Sequence, residues 1–381
     1  MIYYLFMLAL FTVAISDIAT CNYRRALVVI NSLFVFIFIG LRYKLGVDWQ
    51  FYYDDYHGVK TNLAIEPGYE LLAKLSGYFI NFWAYVSLIT LLAIYSIARF
   101  AYRTSPYPAF VIGCYFIISF GFNIEALRQI IAVSMFYLGL FEYLLGRKRF
   151  FYFFCVAGSF FHISLLPLVM LPVLFGGFTL KILRNLFICG MVLALIRVYP
   201  VKTLIEFGNA IIGGPYFSKL AWYALNGNDG GGVTFNLLFK VIIYAFFYFS
   251  KPGISRCFSE LNVNIKLITA MESIFLLMLV IDVYFLPFGT IASRYDEFFV
   301  PVMLICFSYF LRSKSLLANR MFISIGFMIL VSISFMRFTD NDYFEEQYKP
   351  YSNSIVQLLT YSVDDAARAK AVFLHWQLRN E

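Results

Sequence analysis

Long apolar stretches alternate with short polar segments along the whole chain. Each stretch approaches the roughly 20 residues that an α-helix needs to cross the bilayer core. A soluble protein would have to bury all of them in one core, so the pattern predicts an all-α, polytopic integral membrane protein with about 11–12 transmembrane segments. The clearest apolar stretches are 2–19, 26–41, 107–120, 182–198, 236–249, 267–286, 298–311 and 321–336.

The same pattern divides the chain into one membrane domain and a polar tail. Residues 1–336 are predicted to form a single polytopic domain without a linker. Residues 337–381 form a tail that we expect to be external, with a short amphipathic helix at 352–362. A glycine-rich stretch at 226–232 indicates a flexible turn. The predicted external loops are 42–80, 199–235 and 287–297.

The composition agrees with a membrane-embedded chain. Of the 381 residues, 61% are hydrophobic and 14% are charged, whereas soluble domains have roughly 25% charged residues. The net charge of +8 comes from basic residues scattered in short loops, which suits the cytoplasmic side of a membrane with anionic lipid and not a nucleic-acid partner. Stretch 2–19 lacks a basic region and a cleavage site, so we expect it to remain as the first span. The six cysteines have no metal-ligand spacing, and neither a metal nor a cofactor is expected.

The positions of Lys and Arg orient the chain in the membrane. With the N-terminus outside, the basic clusters fall in cytoplasmic loops, provided that segment 150–178 runs out and back. Such a path needs a break, which we expect near His162, with Pro167 and Pro172 shaping the return. If the segment crosses once instead, every later basic loop inverts. In the first arrangement, His162 and the loop 42–80 share the external face with the tail.

Ionisable and aromatic residues are concentrated in residues 42–69, between two apolar stretches. Many of these charges suit a solvated loop. Arg42, Asp48 and Glu66, however, lie beside apolar spans, where a charge needs a partner or a function. These three residues are therefore candidates for a functional site.

Three further ionisable residues lie at the ends of later segments. Arg128 and Arg294 occupy the starts of apolar stretches. There a guanidinium either extends to the interface or binds an anion such as phosphate through its planar fork. His162 lies among apolar residues and is either a hydrogen-bonded packing residue or a catalytic base.

Several short motifs follow one another in a fixed order along the first half of the chain. They are Arg42, Gly46, Asp48, Tyr52, then Glu66-Pro67-Gly68-Tyr69, Arg128-Gln129, Arg147-Lys148 and Phe161-His162-x-Ser164. Weaker matches are Arg294-Tyr295 and Tyr348-Lys349-Pro350-Tyr351. This order, over roughly residues 30–175, resembles the EpsG-like branch of the Wzy-type O-antigen and exopolysaccharide polymerases.

The resemblance implies a membrane glycosyltransferase with a GT-C-like architecture in the bacterial inner (cytoplasmic) membrane. Such an enzyme moves a growing glycan from polyprenyl diphosphate, for example undecaprenyl diphosphate, to the next lipid-linked repeat unit. The reaction takes place on the periplasmic or external face during O-antigen, lipopolysaccharide or exopolysaccharide synthesis. The implied partners are the polyprenyl-diphosphate-linked oligosaccharide, membrane lipid and a chain-length regulator, without nucleic acid.

Within this resemblance the candidate residues take specific roles. Displacing a diphosphate requires cations that hold the departing charge, and the acceptor hydroxyl must lose its proton to one positioned base. Direct displacement with one base predicts inversion, and arginine cations make a metal unnecessary. The diphosphate candidates are Arg42, Arg128 and Arg294, and the base candidates are Glu66, Asp48 and His162. Weaker candidates for sugar contacts are Trp49, Tyr52, Tyr69, Gln129 and Tyr295. The aromatic residues among them are equally suited to anchor the protein at the membrane interface.

Two other classes of function remain open. A flippase or transporter of lipid-linked oligosaccharides needs a polar path through the bilayer midplane. A membrane acyltransferase that modifies surface polysaccharide needs a catalytic pair centred on a histidine. The charged residues inside the predicted spans are Asp17, Lys240, Glu272 and Asp282. Their positions in the sequence indicate no obvious polar relay across the membrane.

Overall fold

The structure, a computed structural model, is built of helices joined by short connections in its described residues, which are 1–20, 23–58, 66–211, 213–214, 233–261, 265–360 and 365–380. The predicted glycine-rich turn at 226–232 and most of the loop 199–235 lie outside these ranges. The helices are α1 (Ile2–Ala19), α2 (Arg24–Val35), α3 (Trp49–Tyr56), α4 (Pro67–Gly77), α5 (Phe82–Thr104), α6 (Pro108–Ile118), α7 (Phe120–Glu125), α8 (Leu127–Leu144), α9 (Lys148–Ser159), α10 (Gly177–Leu195), α11 (Pro200–Ile211), α12 (Phe235–Leu261), α13 (Ile265–Tyr284), α14 (Gly289–Ser313), α15 (Leu317–Thr339), α16 (Asp342–Tyr348), α17 (Ser354–Thr360) and α18 (Asp365–Asn380).

Seven helices of the described ranges are long and apolar enough to cross a membrane. The prediction of an all-α, polytopic membrane protein is therefore confirmed. These spans are α1, α5, α8, α10, residues 235–254 of α12, residues 267–284 of α13, and α15.

The number of such helices is lower than the predicted 11–12, because several apolar stretches form shorter elements. Stretch 26–41 is divided between α2 and a π-helical turn, Phe36–Gly40. Stretch 107–120 forms α6, which has only 11 residues. Stretch 298–311 belongs to α14, whose beginning carries Arg294 and two acidic residues.

The helical path breaks at residues 160–162, where the sequence predicts a break. Helix α9 ends at Ser159, and a 3-10 helix, Ile163–Leu174, follows His162. Both Pro167 and Pro172 lie in this 3-10 segment. With 12 residues, α9 covers about 18 Å, which is short of the bilayer core of about 30 Å.

The described residues pack into two compact units. The first unit contains Met1–Val169 and Ser315–Glu381, and the second contains Met170–Lys314. In the first unit α1 packs against α2, α6 and α15, while α8 packs against α5 and α9. In the second unit α13 packs against α10, α12 and α14. Every candidate site residue except Arg294 and Tyr295 belongs to the first unit.

The buried carboxylate of Asp17 has a structural partner within the first unit. Its Oδ2 atom accepts hydrogen bonds from the backbone N–H groups of Ala109 (2.7 Å) and Phe110 (3.2 Å). These groups belong to the first turn of α6, where the helix leaves backbone donors unpaired and favours a negative charge. Asp17 therefore stabilises the start of α6 from a neighbouring span.

Buried ionic contacts join helices of the second unit, although the sequence showed no obvious relay among these residues. Lys240 of α12 forms ion pairs with Asp282 of α13 and Asp296 of α14. Charged side chains inside a membrane usually pair in this way. A second cluster is centred on Glu272, which contacts Arg184 at 2.7 Å, Tyr244 at 3.0 Å, and Lys251.

The polar tail is part of the first unit and bonds to the segment 41–46. The backbone N–H of Tyr43 donates to Ser352 O at 3.0 Å, and that of Ser354 donates to Leu41 O at 2.7 Å. Arg368 of α18 donates to Lys44 O at 2.9 Å. Within the predicted helix at 352–362 the structure describes α17, and residues 361–362 lie outside the described ranges.

Glu125 links the tail to the same segment. Its Oε1 atom accepts hydrogen bonds from the hydroxyl groups of Tyr343 and Tyr348, the latter at 2.6 Å. Burial raises the pKa of the Glu125 carboxyl, and the two tyrosine hydrogen bonds oppose this shift. Gly46 donates its N–H to Gln347 O at 3.1 Å and lies against Glu125.

We expect the substitution Gly46→Ala to destabilise the protein by about 2–4 kcal/mol. Gly46 has a φ of +78°, and an added Cβ would lie 2.6 Å from Glu125 Cγ. Gly58 is a matched control because its φ is +80° but no described atom lies within 4 Å of an added Cβ. Gly58→Ala should cost only the backbone strain of about 1–2 kcal/mol. Thermal unfolding in lipid nanodiscs measures both, and equal losses would contradict the packing argument.

Candidate functional site

Glu66, Arg128 and His162 lie together in the first unit. The Arg128 Nη1 atom is 2.6 Å from Glu66 Oε2. On the other carboxylate oxygen, Glu66 Oε1 is 3.9 Å from His162 Nε2. Three of the residues singled out from the sequence are therefore brought together around one carboxylate.

Local sequence features place the three side chains. Glu66 directly precedes Pro67, the first residue of α4, and its side chain does not cap that helix. The carboxylate is therefore available to Arg128, which lies at the second position of α8. Gly68 donates its N–H to Phe160 O at 3.0 Å. This contact joins the start of α4 to the end of α9 and so brings Glu66 to the break that carries His162.

Gly68 allows this approach because it has no side chain. A Cβ at Gly68 would lie 3.0 Å from the backbone carbonyl oxygen of Phe160 and 2.9 Å from its Cβ. Such distances are too short for a substituted residue without a shift of the backbone. The Glu66-Pro67-Gly68 motif thus combines a carboxylate, a helix start and a close contact in three consecutive residues.

The ion pair is shielded from solvent, but Arg128 retains some exposure. Glu66 is 7% exposed as a residue, while the side chain of Arg128 is 25% exposed. The guanidinium lies 5.6 Å from the ring centroids of both Phe51 and Tyr52, a distance typical of cation–π contacts. Within the described part of the chain, Arg128 Nε has no hydrogen-bond partner. Arg128 is therefore held in place by Glu66 and two aromatic rings while a quarter of its side chain remains exposed.

The contacts of His162 define its neutral tautomer. The backbone N–H of Ser164 donates to His162 Nδ1 at 3.3 Å. Because a backbone N–H is always a donor, Nδ1 must be the acceptor. The Ser164 hydroxyl, 2.7 Å from Nδ1, then also donates to it. In the neutral ring the proton is consequently on Nε2, the atom nearer to Glu66.

Arg42 is held by main-chain and side-chain acceptors of the first unit. Its Nη1 atom donates to Ile39 O (2.8 Å) and Thr90 Oγ1 (3.1 Å), and Nη2 donates to Ile124 O (2.9 Å). Burial lowers the pKa of Arg42 to about 10, so the guanidinium remains charged at neutral pH. These contacts tie the end of the π-helical turn to α5 and to the residues before α8.

A small cavity lies beside Arg42 and reaches towards α8. Its volume is about 10 Å³, which is about the room of one water molecule. Trp49 and Tyr52 of α3 line it together with Leu127, the residue before Arg128. The indole N–H of Trp49 has no partner among the described residues. Arg42, Trp49 and Tyr52 therefore border one small, mostly apolar space, and Tyr52 also lies beside Arg128.

Asp48, Tyr69 and Gln129 have different positions in the first unit. Asp48 immediately precedes α3 and is half-buried. The pKa of Tyr343 in the tail is raised, mainly by burial, and the charge of Asp48 adds to this shift. Asp48 therefore lies near the tail. Tyr69 and Gln129 are buried, and Tyr69 packs against Tyr52 with ring centroids 5.5 Å apart. Their predicted roles as base and sugar contacts stay predictions.

Arg294 and Tyr295 belong to the second unit. Both lie in the first turns of α14, where Arg294 is exposed and Tyr295 is half-buried. The following residue, Asp296, forms the buried ion pair with Lys240. The predicted roles of Arg294 in diphosphate binding and of Tyr295 in sugar binding stay predictions.

Sequence reasoning assigned no role to Ser164 or Glu125, although both contribute to the site's surroundings. The signal for Ser164 is its position two residues after a histidine in a helix break, where local side-chain to backbone hydrogen bonds are common. The signal for Glu125 is a carboxylate three residues before Arg128 at a membrane boundary. In the described ranges, no group of three or more His, Cys, Asp or Glu side chains could hold a metal ion.

Fold and site together define a polytopic α-helical membrane protein with a shielded Glu-Arg-His cluster where three helical segments begin or end. The chain belongs to the EpsG family, whose match covers residues 25–353 of the 381. The resemblance inferred from the motifs is thereby confirmed. No curated protein and no solved structure matches the chain. The expected GT-C-like architecture stays a prediction.

Proposed function

We propose that this protein is a polysaccharide polymerase, a glycosyltransferase that moves a growing glycan from polyprenyl diphosphate to the next lipid-linked repeat unit. Its place is the bacterial inner membrane, with the site facing the periplasm or cell exterior. Membership of the EpsG family and the seven membrane-spanning helices support this proposal. The observation that carries it is the Glu66 carboxylate between Arg128 and His162.

The carboxylate and the imidazole fit one acceptor hydroxyl. The distance of 3.9 Å between Glu66 Oε1 and His162 Nε2 is too long for a direct hydrogen bond. A sugar hydroxyl beside both atoms would donate to Glu66 Oε1 and accept from the Nε2–H of His162. Glu66 is therefore the base, and His162 orients the acceptor oxygen.

The transfer step follows from this arrangement. As the acceptor oxygen bonds to the anomeric carbon, its proton passes to Glu66. The bond between that carbon and the diphosphate oxygen breaks, and the diphosphate leaves with the electron pair. Because the attack is direct, we expect inversion at the anomeric carbon.

Arg128 is the cation that we assign to the departing diphosphate. Its guanidinium pairs with Glu66 through Nη1, which leaves further N–H groups for phosphate oxygens. Arg42 makes its described hydrogen bonds within the protein, and these favour a role in positioning α3 and the residues before α8. Phosphate contacts by Arg42 and Arg294 stay predictions from the sequence.

A reconstituted assay tests the proposal against its rivals. The purified full-length protein in liposomes receives a polyprenyl-diphosphate-linked repeat unit, and the products are separated by length. Growth of the glycan supports a polymerase, whereas translocation without growth supports a flippase and acyl transfer supports an acyltransferase. Chain growth should persist in a chelator, and NMR of the new linkage should show an inverted anomeric configuration.

Ser164→Ala should lower the transfer rate by about fivefold to tenfold, the effect of about one hydrogen bond. The reason is that the Ser164 hydroxyl bonds to Nδ1 of the ring and so holds His162 with its Nε2–H towards the acceptor oxygen. Single-turnover transfer by the reconstituted protein measures the rate.

Ser159→Ala is the control for this experiment. The Ser159 hydroxyl bonds to Val156 O at 2.7 Å in the last turn of α9 and does not contact His162. Its transfer rate should match that of the unmodified protein. Equal rates for Ser164→Ala and Ser159→Ala would contradict a role for the hydrogen bond between Ser164 and His162 in the reaction.

A further inference from the structure

An open apolar groove lies along the surface of α9, next to the candidate site. Its volume is about 560 Å³, within the range of about 300–1,000 Å³ that is typical of ligand sites. The lining residues are Tyr152, Phe153, Val156, Ala157, Phe160 and Phe161.

The groove follows one face of α9 because its residues recur at helical spacing. The opposite face, which includes Phe151 and Cys155, is buried, and α9 packs against α8. Phe153 and Val156 are instead exposed. This face therefore presents an open apolar surface away from α8.

One end of the groove reaches the candidate site. Phe161 both lines the groove and packs against the buried cluster that contains Tyr52 and Leu127. Phe160 accepts the hydrogen bond from Gly68, two residues after Glu66. The groove is thus continuous with the residues that hold Arg128 and His162.

We propose that this groove binds the isoprenoid chain of the lipid carrier, with the diphosphate end at Arg128. This inference rests on the proposed function and assigns the lipid part of the substrate to a surface of its own. A polyisoprenyl diphosphate joins an apolar chain to a compact anion. The apolar groove ends at Phe161, next to His162 in the chain, and His162 lies at the Glu66 carboxylate that pairs with Arg128, so the two parts of the carrier match the groove and the cluster.

Photo-crosslinking tests the location without any catalytic step. A polyprenyl phosphate with a diazirine in the isoprene units near the phosphate is added to the full-length protein in nanodiscs. Labelled peptides from residues 152–161, which excess unlabelled polyprenyl phosphate protects but phosphatidylglycerol does not, support the proposal. Labelling elsewhere, or equal protection by phosphatidylglycerol, overturns it.

A groove-filling variant tests the consequence for the reaction. Val156→Trp should lower kcat/KM for a long-chain polyprenyl-linked substrate by about tenfold. It should leave a soluble, short-chain analogue unaffected. Val192→Trp on α10 is the matched control because it places the same residue at a valine of similar exposure outside the groove. Val156 is 45% exposed and Val192 is 54% exposed.

The two arms separate failure of this inference from failure of the proposed function. If unmodified protein transfers no sugar but the labelling is confined to the groove, the proposed function fails and the lipid site stands. If transfer occurs but Val156→Trp and Val192→Trp behave alike for the long-chain substrate, the lipid site fails alone.

Discussion

Replacing Glu66 with glutamine should lower the rate of glycosyl transfer by about a thousandfold. The amide keeps the size of the side chain and can still accept a hydrogen bond from Arg128, but it cannot take a proton from the acceptor hydroxyl. The protein should therefore remain folded while chain growth stops. Single-turnover transfer with reconstituted protein measures the loss, and the length of surface polymer reports the same change in cells.

Glu70 provides the matched control for Glu66. It lies four residues later, in the first turn of α4, and forms an exposed pair with Lys74 at 2.6 Å. Exposed pairs of this kind contribute at most about 1 kcal/mol to stability, so Glu70→Gln should transfer sugar at the normal rate. If Glu66→Gln were as active as Glu70→Gln, another residue would have to be the base.

Substitutions of Arg128 should produce the second large effect, and two variants separate its role in catalysis from its role in stability. Arg128→Lys keeps the positive charge but loses the planar fork, and kcat/KM should fall by about a hundredfold. Arg128→Ala leaves the Glu66 carboxylate shielded and unpaired, which should cost about 3 kcal/mol of stability. The double variant Glu66→Gln with Arg128→Ala should regain most of that stability and remain inactive. Thermal unfolding and single-turnover transfer together measure these outcomes.

Arg147→Lys is the control for the lysine variant. Arg147 forms an ion pair with Glu142 at 3.1 Å, and its side chain is 61% exposed. It lies beyond the end of α8, whereas Arg128 lies at the start of that helix. Similar activities of Arg128→Lys and Arg147→Lys would contradict a role for the Arg128 fork in diphosphate binding.

The sequence pointed to Glu66 and Arg128 because each is an ionisable residue at the edge of an apolar stretch, and to His162 because it is an ionisable residue among apolar ones at a predicted break. In a membrane such a position implies a partner or a function, and this argument needs no knowledge of the fold. That the three meet one another depends on how three separate segments pack. Hydrophobic periodicity places residues on a face or at an end of a helix, but it does not say which ends touch.

Arg42 shows the limit of this argument. Its position beside an apolar stretch is the same as that of Arg128, yet its guanidinium bonds to Ile39 O, Ile124 O and Thr90. Sequence alone does not distinguish an arginine that binds backbone carbonyls from one that has donors left for a ligand. Lys240 shows the same limit. Its partners Asp282 and Asp296 lie on two other helices, and only tertiary packing brings the three side chains together.

The hydrogen bonds between the tail and the segment 41–46 have a consequence for the order of synthesis. Tyr348 and Arg368 contact Glu125 and Lys44, residues made more than two hundred positions earlier. A nascent chain with its described spans inserted still lacks these contacts until residues 348 and 368 have also been made and have left the ribosome. The segment that carries Arg42 therefore gains its partners in the tail only after the spans, so removal of α16–α18 should act on the maturation of the protein while leaving every candidate catalytic residue in the chain.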